Sequence, residues 1–144
     1  KNEALEAIAQ IIEKNKDVIF ENNNMDLLQA KELVSLGKIT QSTYNRLKLD
    51  ENKMRDMIAG IYDVIKLEDP VNKILSKTKL DENLILEKIS CPIGVICVIF
   101  EARPDVIIQI ATLAIKSGNA VVLKGGSESV NTNKIFAKLI NEAL

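Results

Sequence analysis

The sequence has no histidine and no tryptophan, and only three prolines and two cysteines among its 144 residues. Without an imidazole, Ser-His-Asp triads, Cys-His pairs and histidine-bearing zinc sites cannot be assembled from this chain alone. Cys91 and Cys97 fall short of a four-thiolate set, so no metal is expected. They are also too few for a disulfide framework, and in an apolar strand-like run they read as small core side chains in a reducing compartment. A basic excess is missing as well. Nineteen Lys and Arg against 20 Asp and Glu leave a net charge of -1, which argues against nucleic acid as a partner. No uninterrupted apolar run reaches the ~20 residues needed to cross a bilayer. The first residues, KNEALEAIAQ, lack a secretory pattern, so no membrane partner and a cytoplasmic location are expected. What is present, 47% hydrophobic and 27% charged residues, is the composition of an ordinary globular protein.

The first half reads as amphipathic helices. Leu5, Ile8 and Ile12 recur at helical spacing, with Ala4 and Ile11 widening the stripe. In ENNNMDLLQAKELVSLGK the asparagine cluster is expected to cap a helix carrying Leu27, Leu28 and Leu33, and Gly37 to stop it. Thr40 is placed to cap a short helix over about residues 41–48. Asp50 is placed to cap a longer one with Met54, Met57, Ile58, Ile61 and Ile65 on one side, ending before Pro70.

After Lys79 the pattern changes. LILEKIS reads as an exposed or edge strand, and CPIGVICVIF as a strand covered on both faces. EARPDVIIQIATLAIKSG then reads as a helix, with Pro104 in its first turn and Gly118 at its end. Val121, Val122 and Leu123 form a second buried strand that ends in Lys124, Gly125 and Gly126, followed by a helix over about 128–142. The fold class is therefore α/β. Residues 1–79 form a helical segment, and residues 80–144 a β-α-β-α unit whose strands should pair in parallel through a right-handed crossover. A diglycine lets the backbone approach a ligand closely, and the carboxyl end of a parallel strand is where open α/β sheets bind ligands. The glycines follow the second strand rather than the first, so the usual GxGxxG phosphate grip is absent.

The run CPIGVICVIFEARPDVIIQIATLAIKSGNAVVLKGGSES, with IFENNNMDL and LEDPVNKIL upstream, resembles the cofactor-domain signature of the γ-glutamyl phosphate reductase family. That family lies within the aldehyde dehydrogenase superfamily and includes the reductase half of Δ1-pyrroline-5-carboxylate synthases. The resemblance implies the amino-terminal part of a Rossmann-type NADP(H)-binding domain, incomplete here, with the catalytic domain and its cysteine nucleophile outside this chain. It implies NADPH-dependent reduction of γ-glutamyl phosphate to glutamate-5-semialdehyde, with phosphate release, in proline biosynthesis. It also implies a homo-oligomer. The alternative is a non-catalytic nucleotide-binding or interaction module built on the same fold.

Several residue roles follow from the resemblance. Lys124 matches the superfamily lysine that approaches the adenosine ribose, where its cation would favour the 2′-phosphate of NADPH; its bland role is a solvated strand-end lysine. Gly125 and Gly126 belong to the same turn. Ser127 replaces a ribose-binding glutamate of NAD-preferring relatives and leaves room for phosphate. Glu128 is expected to favour the positive end of the following helix. Glu101 and Ala102 lie in the segment that passes the nicotinamide, and Arg103 aligns with an asparagine oxyanion donor. Arg103 is expected either to contact the oxyanion or the substrate phosphate, or to pair with Glu101 or Asp105. Asn131 and Asn133 read as helix-surface residues.

Overall fold

A computed structural model describes all residues, 1–144. Four helices come first: α1 (Asn2–Lys14), α2 (Lys16–Ser35), α3 (Gln41–Leu47) and α4 (Glu51–Lys66). Then follow β1 (Ile74–Asp81), β2 (Leu84–Ile89), β3 (Val95–Ile99), α5 (Val106–Ser117), β4 (Ala120–Lys124) and α6 (Val130–Ala143), the last entered through a short 3-10 turn at Ser127–Ser129. None of the helices is long and apolar enough to cross a membrane.

Local chemistry sets the helix ends. Thr40 accepts from the Thr43 amide at 3.1 Å and Asp50 from the Lys53 amide at 2.8 Å, each relieving an orphan donor of a first turn. Gly118 closes α5 with a left-handed φ of 69°. The asparagine cluster Asn22–Asn24 corrects an expectation, because it lies inside α2 and Asn15 holds the N-cap position. The reason lies at the α1–α2 junction, where the Asn15 side chain donates to the Ile11 carbonyl at 2.7 Å and the chain resumes helix at Lys16.

One core joins both halves. Leu5, Ile8, Ala9 and Ile12 of α1 pack with Met54, Met57 and Ile61 of α4, Ile107, Ile108 and Ala111 of α5, and Phe136, Leu139 and Ile140 of α6. Fully burying side chains of this size contributes about 1.5–3 kcal/mol each before chain entropy is set against it. The helical segment is thus part of the same folding unit as the strands.

The strands bring three further corrections. The division after Lys79 falls inside β1, which pairs antiparallel with β2, Lys77 opposite Glu87 and their side chains in an ion pair at 2.7 Å. Charged residues on β1 mask its strand pattern, and every residue of this hairpin is exposed. β3 pairs with β4 in parallel as expected, Val95 opposite Ala120 through Ile99 opposite Lys124. Only one face of this pair is covered, however. Ile96, Val98, Val121 and Leu123 are half-buried, whereas Val95 and Ile99 are each 73% exposed and Val122 is 55% exposed, because no element packs on their side. Cys97 shares that outer face and Cys91 precedes the strand, so both thiols are exposed rather than core side chains.

Candidate functional site

The parallel register brings the carboxyl ends of β3 and β4 side by side. One residue past the strands, the Phe100 amide donates to the Lys124 carbonyl at 3.0 Å. Ala102 then turns the chain with a φ of 51°, unusual for a residue with a side chain. It is held there by burial against Ala30 and Leu47, and by its amide, which donates to Glu128 Oε1 at 2.6 Å. The sequence reading gave Glu128 only a helix-end role. In the structure its carboxylate ties the turn after β3 to the turn after β4.

Close approach, rather than backbone conformation, explains the diglycine. Neither Gly125 nor Gly126 has a positive φ. A Cβ at Gly125 would overlap Asn133 Nδ2 and lie 3.1 Å from Phe100 Cζ, and a Cβ at Gly126 would overlap the Glu128 carboxylate. The two glycines therefore let the turn lie flat against α6 and against the Glu128 bond. Lys124 is exposed at the strand end with no ion pair, and the Ser127 hydroxyl is exposed beside it.

A buried polar network anchors the start of α6. Asp26 of α2, 2% exposed, accepts from the Asn131 amide at 3.0 Å, Asn131 Nδ2 at 2.8 Å, the Thr132 amide at 2.8 Å and the Thr132 hydroxyl at 2.6 Å. Ser129 makes no side-chain cap bond, so a carboxylate from another helix satisfies the first turn of α6. Asn23 extends the network, donating to the Leu47 carbonyl at 2.9 Å and to the Thr132 hydroxyl at 3.2 Å, and accepting from the Leu49 amide at 3.0 Å. The sequence does carry a signal for this. The buried stripe of α2 runs Ile19, Asn23, Asp26, Ala30, and polar side chains at two core positions of a helix need partners.

Asn131 and Asn133 correct the reading of them as surface residues. Asn131 binds Asp26, while Asn133 Nδ2 donates to the Ser129 hydroxyl at 3.1 Å and its Oδ1 is buried without a partner. Of the expected site residues, Lys124, Gly125, Gly126 and Ser127 form one continuous turn, and the Glu128 bond brings Glu101 and Ala102 beside it. Glu101 is exposed, whereas the Ala102 side chain and amide are both committed to holding the turn. Arg103 takes the ion-pair option, with its Nη2 donating to Asp105 Oδ2 at 2.9 Å, and it faces a cleft shared with Arg46 and Lys53. A cavity of about 470 Å³ between β4, α5 and α6 carries no charged side chain and is a poor match for an anionic ligand.

What suits this turn to an anionic ligand is the exposed Lys124 ammonium without an ion pair and the exposed Ser127 beside it, since the space next to Gly125 and Gly126 is filled by Asn133 and Glu128. No family model matches the sequence. Among curated proteins, the chain is 62% identical over 144 residues to the γ-glutamyl phosphate reductase of Brachyspira hyodysenteriae, covering all of this chain and 33% of that protein. It is 52% identical over 143 residues to that of Acetivibrio thermocellus, covering 99% of this chain and 32% of the relative. The crystal structure of γ-glutamyl phosphate reductase from Saccharomyces cerevisiae matches with a TM-score of 0.90 and 42% identity, over 99% of this chain and 36% of that one. The Thermotoga maritima enzyme matches with a TM-score of 0.92 and 34% identity, over 99% of this chain and 34% of that one. The chain spans about a third of the length of these relatives, and over that span it is similar in sequence and fold to the amino-terminal part of γ-glutamyl phosphate reductases.

Proposed function

We propose that the full-length protein catalyses NADPH-dependent reduction of γ-glutamyl phosphate to glutamate-5-semialdehyde with release of phosphate, and that this chain supplies part of its cofactor site. The observation that carries the reading is the joining of the Lys124–Ser127 turn to the Glu101–Arg103 segment, through the Glu128 carboxylate and the Ala102 amide, in a chain similar throughout to that family. In this reading Lys124 meets the adenosine ribose and its 2′-phosphate, with the Ser127 hydroxyl as a further donor. Gly125 and Gly126 shape the turn that presents these two side chains, by leaving room for Asn133 and for the Glu128 carboxylate. Glu101 lies beside the nicotinamide, and Ala102 fixes the path of that segment. When bound, the cofactor supplies the hydride.

Arg103 offers a planar fork of donors to the substrate phosphate or to the developing oxyanion, and Asp105 engages only one of its terminal nitrogens. The cysteine nucleophile and the remaining sheet belong to the part of the protein outside this chain. A homo-oligomer is supported by the apolar hairpin, on which Ile74, Leu75, Leu84, Ile85 and Leu86 are all more than half exposed.

The test is to determine the intact native mass and assay that species in the reverse direction, with glutamate-5-semialdehyde, NADP⁺ and inorganic phosphate. NADP⁺ reduction that demands phosphate is the expected result. NADP⁺ binding without turnover by the intact protein would instead establish a nucleotide-binding module.

A further inference from the structure

A second cationic feature stands apart from the Lys124 turn. Arg46 in the last turn of α3, Lys53 in the first turn of α4 and Arg103 after β3 converge with Asp105 on an open cleft of about 360 Å³. Three cations face one carboxylate in a chain whose net charge is -1. The Arg46 guanidinium has no ion-pair or hydrogen-bond partner. Lys53 is held in place by its bonds to the Lys48 carbonyl at 2.5 Å and the Arg46 carbonyl at 3.3 Å, which leave its third ammonium hydrogen free. Arg103 keeps most of its donors open, and its side chain is 54% exposed. Like charges gathered this way repel one another, and the group that relieves the excess of two positive charges is a dianion. Two guanidinium forks and an ammonium match the tetrahedral oxygens of a phosphoryl group.

We propose that Arg46, Lys53 and Arg103 form a phosphoryl-binding cleft that holds the phosphoryl group of an acyl phosphate substrate. The assignment to that substrate rests on the reductase reading, whereas the cleft's affinity for a phosphoryl dianion does not. Arg46 is the informative position, because its side chain makes no contact on which folding depends.

The test uses the full-length protein and inorganic phosphate. In calorimetric titration Arg46→Gln should raise the phosphate Kd by about 10-fold or more, the loss of one charge-assisted contact, while Lys138→Gln, outside the cleft, should leave it unchanged. In the reverse assay, a raised KM for phosphate with an unchanged KM for NADP⁺ assigns the cleft to the substrate. A raised KM for NADP⁺ with an unchanged KM for phosphate would overturn that assignment. The proposal is overturned if the wild-type protein does not bind phosphate, or if Arg46→Gln and Arg46→Glu both leave phosphate binding and both Michaelis constants within twofold of wild type. An inactive wild-type protein that still binds phosphate through Arg46 would defeat the reductase reading and leave the cleft standing.

Discussion

Gly126→Ala is a sharp probe of how the two turns are joined. The backbone at Gly126, with φ of -73°, accepts alanine without strain, so the whole penalty comes from the Glu128 carboxylate that the new Cβ would overlap. Moving that carboxylate away breaks its 2.6 Å bond to the Ala102 amide. Ala102 is only 2% exposed, so water does not readily replace the lost acceptor. Losing a hydrogen bond to a charged acceptor costs about 1.5–3 kcal/mol. The reduced freedom of the unfolded chain returns about 0.4–1 kcal/mol. The net expectation is destabilisation by about 1–2 kcal/mol, and a roughly 5–30-fold faster hydrogen exchange at the Ala102 amide. Glu128→Ala alone should cost a similar amount. In the Glu128→Ala background, Gly126→Ala has no carboxylate to displace and should be neutral or slightly stabilising. Urea unfolding of the four proteins in this cycle should therefore give a coupling of about 1.5–3 kcal/mol. Costs that add within about 0.5 kcal/mol would refute the proposed link between the turns.

Asp26→Ala removes the acceptor of four hydrogen bonds and strands two backbone amides in the first turn of α6. A loss of at least about 3 kcal/mol in urea unfolding is expected, and a loss below about 1 kcal/mol would mean that water replaces the carboxylate. Acid sensitivity should have a component from Glu68 and Asp69, whose carboxyls are held below the usual carboxylate range. For Glu68 the cause is its hydrogen bond and ion pair with Lys73; for Asp69 it is the hydrogen bond from Lys1, then that from the Val71 amide. The folded state binds these protons less readily than the unfolded state. The contribution is therefore complete above the ordinary carboxylate values, about pH 4, and is lost as pH falls through the folded values. Glu68→Gln with Asp69→Asn should flatten the fall of stability below about pH 4, and an unchanged slope would show that these pairs contribute nothing.

Helices with a strong apolar stripe were legible residue by residue. Leu5, Ile8 and Ile12, and Met54, Met57 and Ile61, stand in the core where their spacing puts them, and Thr40 and Asp50 cap where their chemistry suggests. The α2 cap was misread because capping propensity in Asn22–Asn24 is a local signal, whereas Asn23 and Asp26 are fixed by partners more than 20 residues away. Strand β1 was hidden because both its faces are exposed and it carries Lys77 and Lys79, leaving no apolar alternation to read. The apolar runs of β3 and β4 suggest cover on both faces, but this span of sequence covers only one. At the site, the placing of Lys124 at the carboxyl end of a parallel strand was readable from the strand pattern, whereas the contact between its turn and residues 101–103 rests on the register and on the Glu128 bond. The roles of Glu128 and Asp26 were not, since both depend on which backbone amides the fold delivers to them.

In the proposed function, the turn beginning at Lys124 receives the phosphorylated adenosine of NADP(H). Equilibrium titration of the full-length protein with NADPH and NADH tests it most directly. Lys124→Ala should raise the NADPH Kd by about 10–100-fold, the loss of a charge-assisted contact, and should shift the NADH Kd much less. Equal NADPH affinity in the wild type and the Lys124→Ala protein would contradict the claim.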